Sequence, residues 1–264
     1  MSLEFLAPDA AVASDRHTPL ARTPMERAAR SAGARFEVRD GWNVAVGYPS
    51  PERERQACRE TAGWADVSHL GKLELHATSP DDLASIVASA ADGAALELGT
   101  ATRAADAWWL PLTAGRALVV CEPAALPGLR ERLEDAASGA SATVSVVDAT
   151  CKYAAATLVG PLAREVFARF SAIDLRPQVT PVYGWRPGSV ARTGGAILCE
   201  APDRYLMLFG AALGQYVWQT VADAAEHLGG GPVGVDALPP LDAPAASSDG
   251  AGPTDGSSPE APHA

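Results

Sequence analysis

No C-x-x-C pair occurs in this chain, and its four cysteines, Cys58, Cys121, Cys151 and Cys199, stand far apart. That spacing gives no support to a zinc site. No basic segment followed by an apolar run opens the sequence, and no stretch is long enough to cross a bilayer, so neither secretion nor membrane insertion is signalled. Cytoplasmic residence with reduced thiols is therefore the expectation. Cys121 and Cys151 sit beside apolar, strand-like runs and read as buried, unreactive thiols. No G-x-G-x-x-G turn follows a strand, so the chain has no dinucleotide-binding fingerprint of its own. Gly229-Gly230-Gly231 follows a helical pattern and reads as a C-cap and linker.

Excess positive charge is also missing. A formal net charge of −11 and a sequence pI of about 4.9 disfavour wrapping nucleic acid or lying on an anionic membrane. Part of the negative charge is local. Asp242, Asp249, Asp255 and Glu260 lie in a final segment without Lys or Arg, dominated by Ala, Pro, Ser, Gly and Asp. Such a segment is too poor in large apolar residues to offset the entropy of ordering, so 242–264 is expected to be a disordered tail. Residues 1–22 are expected to be an irregular extension. Between them, 23–241 is long enough to bury a sizeable core.

Within that span, strands and helices alternate. Met25, Ala28, Ala29 and Ala32 predict a short helix from Pro24 to Gly33, and 35–48 reads as extended. Pro51 opens a Glu/Arg-rich helix to Thr61, which Gly63 ends. Leu73, Leu75 and Ala77 alternate with Lys72, Glu74 and His76, the pattern of a strand with one buried face. Ser79-Pro80-Asp81-Asp82 caps a helix through Leu83, Ile86 and Val87. Residues 99–112 and 116–121 form a predicted hairpin, with Trp108 and Trp109 pointing to opposite faces, one to the core and one to a partner or ligand. A helix at 123–137 places Leu126, Leu129, Arg130 and Leu133 on one face. Strands at 144–147 and 155–159, a helix at 161–170, strands at 188–193 and 205–209 and a helix at 213–228 repeat the order. The fold class is α+β, two sandwiches with helices on one face of a mostly antiparallel sheet.

Gly41-Trp42, Tyr48, Gly63 and Asp66-Val67-Ser68-His69-Leu70 carry a resemblance. They are similar to the "GW-x-x-P-x-x-Y" and "G-x-x-DVSHM" segments of the aminomethyltransferase family, the T-protein of the glycine cleavage system, with Leu70 at the usual Met. Further on, 156–166 resembles that family's "LQGP-x-A-x-x-V/L" turn. Asp174-Leu175-Arg176-Pro177, 187–193 and 205–208 resemble segments of the gamma subunit of heterotetrameric sarcosine oxidase. The resemblance spans about Thr23 to Leu241. It implies two ferredoxin-like α/β sandwich subdomains forming a T-protein-like folate-binding domain, without a C-terminal barrel.

One-carbon transfer from an aminomethyl group to tetrahydrofolate is the activity that the resemblance implies. The family's carboxylate comes from a "G-x-x-x-D-D" turn. Here Trp109-Leu110-Pro111 occupies that place, and Asp106 lies a few residues early, where a turn would want an Asp. Of the "T-R-x-G-Y-T-G-E-D-G" turn, Arg192 carries over and Glu200 is a loose substitute. The "A-R-D-S-L-R-L-E-x-G" helix is reduced to 235–241, without its Arg and Glu. The missing groups favour a helper role, because losing a positioned general acid or base costs ~10²–10⁴-fold in rate.

The candidate folate-binding residues are His69, Leu70, Arg192, Trp42 and Tyr48. Each has a plainer alternative: a backbone partner for His69, a core role for Leu70, half-buried scaffold for Trp42 and Tyr48, a surface ion pair for Arg192. The resemblance implies a gamma-type subunit of a sarcosine-oxidase-like complex in one-carbon or methylamine catabolism. Tetrahydrofolate would be its cofactor, no flavin or metal would be bound by this chain, and flavin-containing oxidase subunits would be its partners. The alternative is a catalytically silent scaffold that binds a protein partner.

Overall fold

The structure, a computed structural model, describes residues 20–140 and 143–241. The expected tail at 242–264 and residues 1–19 of the expected extension lie outside the described residues. Ala21–Arg22, the end of that extension, is a strand (β1). It is followed by α1 (Glu26–Ser31), β2 (Arg35–Arg39), β3 (Trp42–Gly47), α2 (Pro51–Glu60), β4 (Gly63–Asp66) and β5 (Gly71–Ala77). β1 and β2 flank β3 in a small sheet. The segment at 35–48 is extended, as its residues suggest, but folds back on itself. Asp40 at φ 48° and Gly41 at φ 76° supply the two left-handed positions that a tight hairpin needs. Ser50 and Ser79 cap their helices, accepting from the backbone N–H of Arg53 and Asp82.

The next elements are α3 (Pro80–Ala90), β6 (Thr102–Ala104), β7 (Ala107–Thr113), β8 (Arg116–Cys121), α4 (Leu126–Ser138) and β9 (Val144–Asp148). Then come β10 (Tyr153–Val159), α5 (Ala163–Ala168), β11 (Trp185–Val190), β12 (Thr193–Ala201), β13 (Arg204–Gly210), α6 (Gly214–Glu226) and β14 (Gly231–Pro232). From β5 to β9 and from β10 to β14 the order of strands and helices is the same. The sheets match too, running β6-β7-β8-β5-β9 and β11-β12-β13-β10-β4-β14, with β4 inserted in the second. The expected strand at 188–193 is in fact a strand end and a turn. Ala191 at φ 48° and Arg192 at φ 60° reverse the chain between β11 and β12. The glycines at 229–231 do follow a helix, but Gly231 pairs in parallel with β4 rather than acting as a linker.

Alternation along the strands builds four layers. In β8, Ala117, Val119 and Cys121 face Leu83, Ile86 and Val87 of α3 and Leu129 and Leu133 of α4. In β13, Tyr205, Met207 and Phe209 join Val217, Trp218 and Val221 of α6 and Phe167 of α5. The intervening residues turn the other way. Trp108, Leu110, Leu118 and Val120 of one sheet meet Leu198, Leu206 and Leu208 of the other. The two sheets therefore pack face to face with helices outside, and each large apolar side chain so buried contributes about 1.5–3 kcal/mol. Lys72 and Glu74, expected on a solvated face, lie on this inner one and are 0% and 4% exposed. Glu74 is offset there by Lys152 at 2.6 Å, the Tyr153 hydroxyl at 2.7 Å and Arg116 at 3.3 Å.

Gly160, between β10 and α5, is a tight point of the second half. Its φ is +124°, and a Cβ there would stand 2.5 Å from the Thr61 carbonyl oxygen. Gly160→Ala is expected to lower stability by at least about 2 kcal/mol. Gly128 in α4 has nothing within 4 Å of its would-be Cβ. Gly128→Ala should therefore raise stability by about 0.5–1 kcal/mol. Urea unfolding of both variants checks the pair, and equal effects would refute the argument.

Candidate functional site

β4 belongs to the six-stranded sheet and β5 to the five-stranded one, so 67–70 carries the chain from one sheet to the other. A buried polar network shapes this crossover. Asp66 accepts from the Ser68 backbone N–H at 2.9 Å and from the Thr23 hydroxyl at 2.5 Å. The Ser68 hydroxyl accepts from Ala155 N at 3.1 Å and faces Ala155 O at 3.3 Å, joining the loop to β10. Lys72 Nζ donates to the carbonyls of Ser68 at 2.8 Å and Leu70 at 2.7 Å. Burial raises the pKa of Asp66 against the hydrogen bonds that lower it. Burial brings Lys72 down to about 8, with the Asp66 charge opposing. Asp66, Ser68 and Lys72 thus turn inward, and His69 and Leu70 are left to project.

They project into a cleft of about 390 Å³ between the ends of the sheets. Its walls also include Trp108 on β7, Glu200 at the end of β12, Arg204 at the start of β13, and the closing segment from Val235 to Leu241. Trp108 Nε1 donates to Glu200 Oε1 at 3.1 Å, and Arg204 Nε donates to Glu200 Oε2 at 3.0 Å. One carboxylate thereby ties the two sheets together across the cleft. Arg204 also donates to the Pro239 carbonyl, which anchors the closing segment. His69 Nδ1 is shut off from solvent and has no hydrogen-bond partner among the described residues. Burial, then the charges of Lys72 and Arg39, lowers its pKa to about 4, so the imidazole is neutral at pH 7. Burial also pushes the Cys121 thiol up to about 12.

His69 and Leu70 are the two sequence-derived candidates that the cleft brings together. Trp42 is 4% exposed in a small cluster with Val44 and Val46, because every residue of β3 is covered. Tyr48 packs beside the core that the six-stranded sheet shares with its helices. Arg192 is exposed at the β11–β12 turn. None of these three lines the cleft. Cys151, expected buried, is exposed, whereas Cys121 is buried and lines the cleft. Of the tryptophan pair, Trp109 is in the helix-side core and Trp108 in the cleft, and both are covered. Asp106 lines the cleft from the β6–β7 turn, at φ 57° after Ala105 at 49°. Arg39, Arg103 and Arg204 were missed. Strand alternation puts Trp108 and Val120 on one face, but only the packing of the two sheets shows that this face borders a cleft.

A family model, the GCVT N-terminal domain, matches residues 25–243. This chain belongs to that family. An aminomethyltransferase of Moorella thermoacetica is 27% identical over 236 residues, which cover 83% of this chain and 62% of that protein. One from Symbiobacterium thermophilum is 40% identical over 80 residues, 30% of this chain and 21% of that one. The chain thus spans under two thirds of the length of these aminomethyltransferases. Among solved structures, glycine cleavage system aminomethyltransferase T of Bartonella henselae superposes with a TM-score of 0.68 at 18% identity, over 83% of this chain and 60% of that one. A chain of the heterotetrameric sarcosine oxidase from Corynebacterium sp. U-96 gives 0.58 at 20% identity, over 68% and 93%. Both likenesses concern the fold, which for this GCVT domain is the T-protein-like pair of α/β sandwiches. No described helix is long and apolar enough to cross a membrane.

The crossover of this GCVT domain has a measurable pH signature. The folded pKa of Lys72 lies below its unfolded value of 10.5, so between about pH 8 and 10.5 the unfolded chain binds more protons and stability rises with pH. Below pH 8 the full cost of the buried charge is present. Relative to Lys72→Met, the parent chain is expected to gain on the order of 2 kcal/mol between pH 7 and pH 10. Urea unfolding of both chains measures this difference and cancels the other titrating groups. A difference independent of pH would show that burial leaves the pKa of Lys72 at its unfolded value.

Proposed function

We propose that the cleft binds a reduced folate with its pterin end at the crossover. The observation that carries this reading is His69, whose Nδ1 has no partner among the described residues, beside the apolar Leu70 on the wall of a cleft that also presents the Glu200 carboxylate. A neutral imidazole nitrogen and a carboxylate offer hydrogen bonds to the edge of a pterin, while Leu70, Val67 and Trp108 cover its faces. Belonging to the GCVT N-terminal domain family supports the same ligand. Arg192, Trp42 and Tyr48 have no part in this reading.

The catalytic part of the proposal is modest. Glu200 is held by Trp108 and Arg204, and Asp106 shapes a turn, so neither is an uncommitted acid–base group. We therefore read the chain as a folate-holding subunit of one-carbon or methylamine catabolism, in which flavin-containing oxidase partners carry the redox step. The likeness to a chain of a heterotetrameric oxidase supports this assembly. A rim of exposed apolar residues favours a protein partner on either this reading or the silent-scaffold one. Leu98, Val179, Val182 and Tyr183 are 62%, 39%, 44% and 43% exposed, and Arg186 brings their segments together by donating to Gly99 O and Val179 O.

Anaerobic titration with tetrahydrofolate, followed by tryptophan fluorescence, tests the ligand. Saturable quenching is expected through Trp108, with His69→Ala weakening binding by about ten-fold. No saturable change at millimolar ligand would leave the silent scaffold as the reading. Purification of the tagged chain from its own cell should recover a flavoprotein, and recovery as a lone monomer would refute the complex.

A further inference from the structure

Three arginines line the cleft, and two of them are committed internally. Arg39 donates to both Asp236 oxygens, at 2.6 and 2.9 Å, and to Glu37 at 2.9 Å. Arg204 holds Glu200 and the Pro239 carbonyl. Arg103 has no hydrogen-bond or ion-pair partner among the described residues. Its position is nevertheless defined. Arg103 and Trp108 are cross-strand partners of β6 and β7, and the guanidinium carbon stands 5.0 Å from the centre of the indole ring. Lying over the ring, the guanidinium keeps N–H groups that can receive a carboxylate in two parallel hydrogen bonds.

The polar groups of the cleft are graded by depth. His69 Nδ1 is enclosed, Glu200 and Trp108 are buried, Arg204 is half-buried and Arg103 is exposed. Asp40, Asp106 and Glu122 also line the cleft, and all three are exposed. An anionic group leaving the cleft would be repelled by these three carboxylates unless a cation met it. Arg103 is the uncommitted cation among the described lining residues. We propose that Arg103, from its place over the Trp108 ring, is the specificity residue for the tail of the ligand, taking the carboxylate of its p-aminobenzoyl-glutamate portion. This inference rests on the reduced-folate reading.

The full chain, with Arg103→Gln and Arg103→Lys, is titrated with tetrahydrofolate and with 6-methyltetrahydropterin, which lacks the tail. Arg103→Gln is expected to weaken tetrahydrofolate binding by about ten-fold or more, and to flatten its salt dependence. Binding of the tail-less pterin stays within about two-fold of the parent chain, and Arg103→Lys restores part of the loss. Arg103 is exposed, so unchanged thermal unfolding of the variants verifies the fold. Tetrahydrofolate bound equally by Arg103→Gln and the parent chain would overturn the anchor and leave the folate reading standing. Equal weakening of both ligands would also overturn it. Failure of the parent chain to bind either ligand would overturn the folate reading and the anchor together.

Discussion

Asp66 and Lys72 are buried within six residues of one another, and the molecule is organised by how their charges are accommodated. They form no direct ion pair among the described contacts. Asp66 is met by Thr23 and the Ser68 amide, and Lys72 by two backbone carbonyls of the loop between them. Isolated burial of either charge would cost several kcal/mol, so the loop keeps this path because, with Thr23, it supplies the donors and acceptors. That path takes the chain out of one sheet and into the other. The face-to-face packing of the sheets, the cleft at their ends and the outward projection of His69 and Leu70 all depend on it.

This dependence explains why Asp66-Val67-Ser68-His69-Leu70 is the most telling segment of the sequence and yet a poor guide to activity. Of its five residues, Asp66 and Ser68 serve the backbone and Val67 fills the inter-sheet core as well as the cleft wall. A motif whose polar members are consumed by a crossover reports the fold. Only the segment's last residues, His69 and Leu70, project into the cleft rather than serving the crossover.

The elements were legible where local chemistry decides them. Ser79-Pro80 caps α3, Leu129 and Leu133 mark the buried side of α4, and the β5–α3 pattern recurs in the second half. What was not legible came from the meeting of the two sheets. Lys72 and Glu74 alternate with Leu73 and Leu75 in a way that reads as a solvated face, because periodicity distinguishes two faces of a strand but not what lies against each. The same limit applies to the site. Trp42 is aromatic and sits in a resembling segment, but β3 is covered on all sides. Arg192 keeps the residue type of the resembling turn and is placed at the exposed end of a hairpin. Glu200, only a loose substitute by spacing, gains its place because Pro202 and Asp203 turn the chain so that Arg204 returns beside it.

Glu200 also bears on how much chemistry the cleft performs. A carboxylate acts as a general base when a lone pair is free to receive a proton at the reacting atom. Here one oxygen accepts from an indole N–H and the other from a guanidinium, which leaves acceptor sites for a ligand but fixes the carboxylate in place between the walls of the cleft. Moving Glu200 to meet a substrate would release Trp108, and with it the aromatic surface on which Arg103 rests. Binding surface and acid–base function therefore compete for one side chain. The geometry resolves that competition toward binding, because Glu200 serves the walls of the cleft before it can serve a reaction.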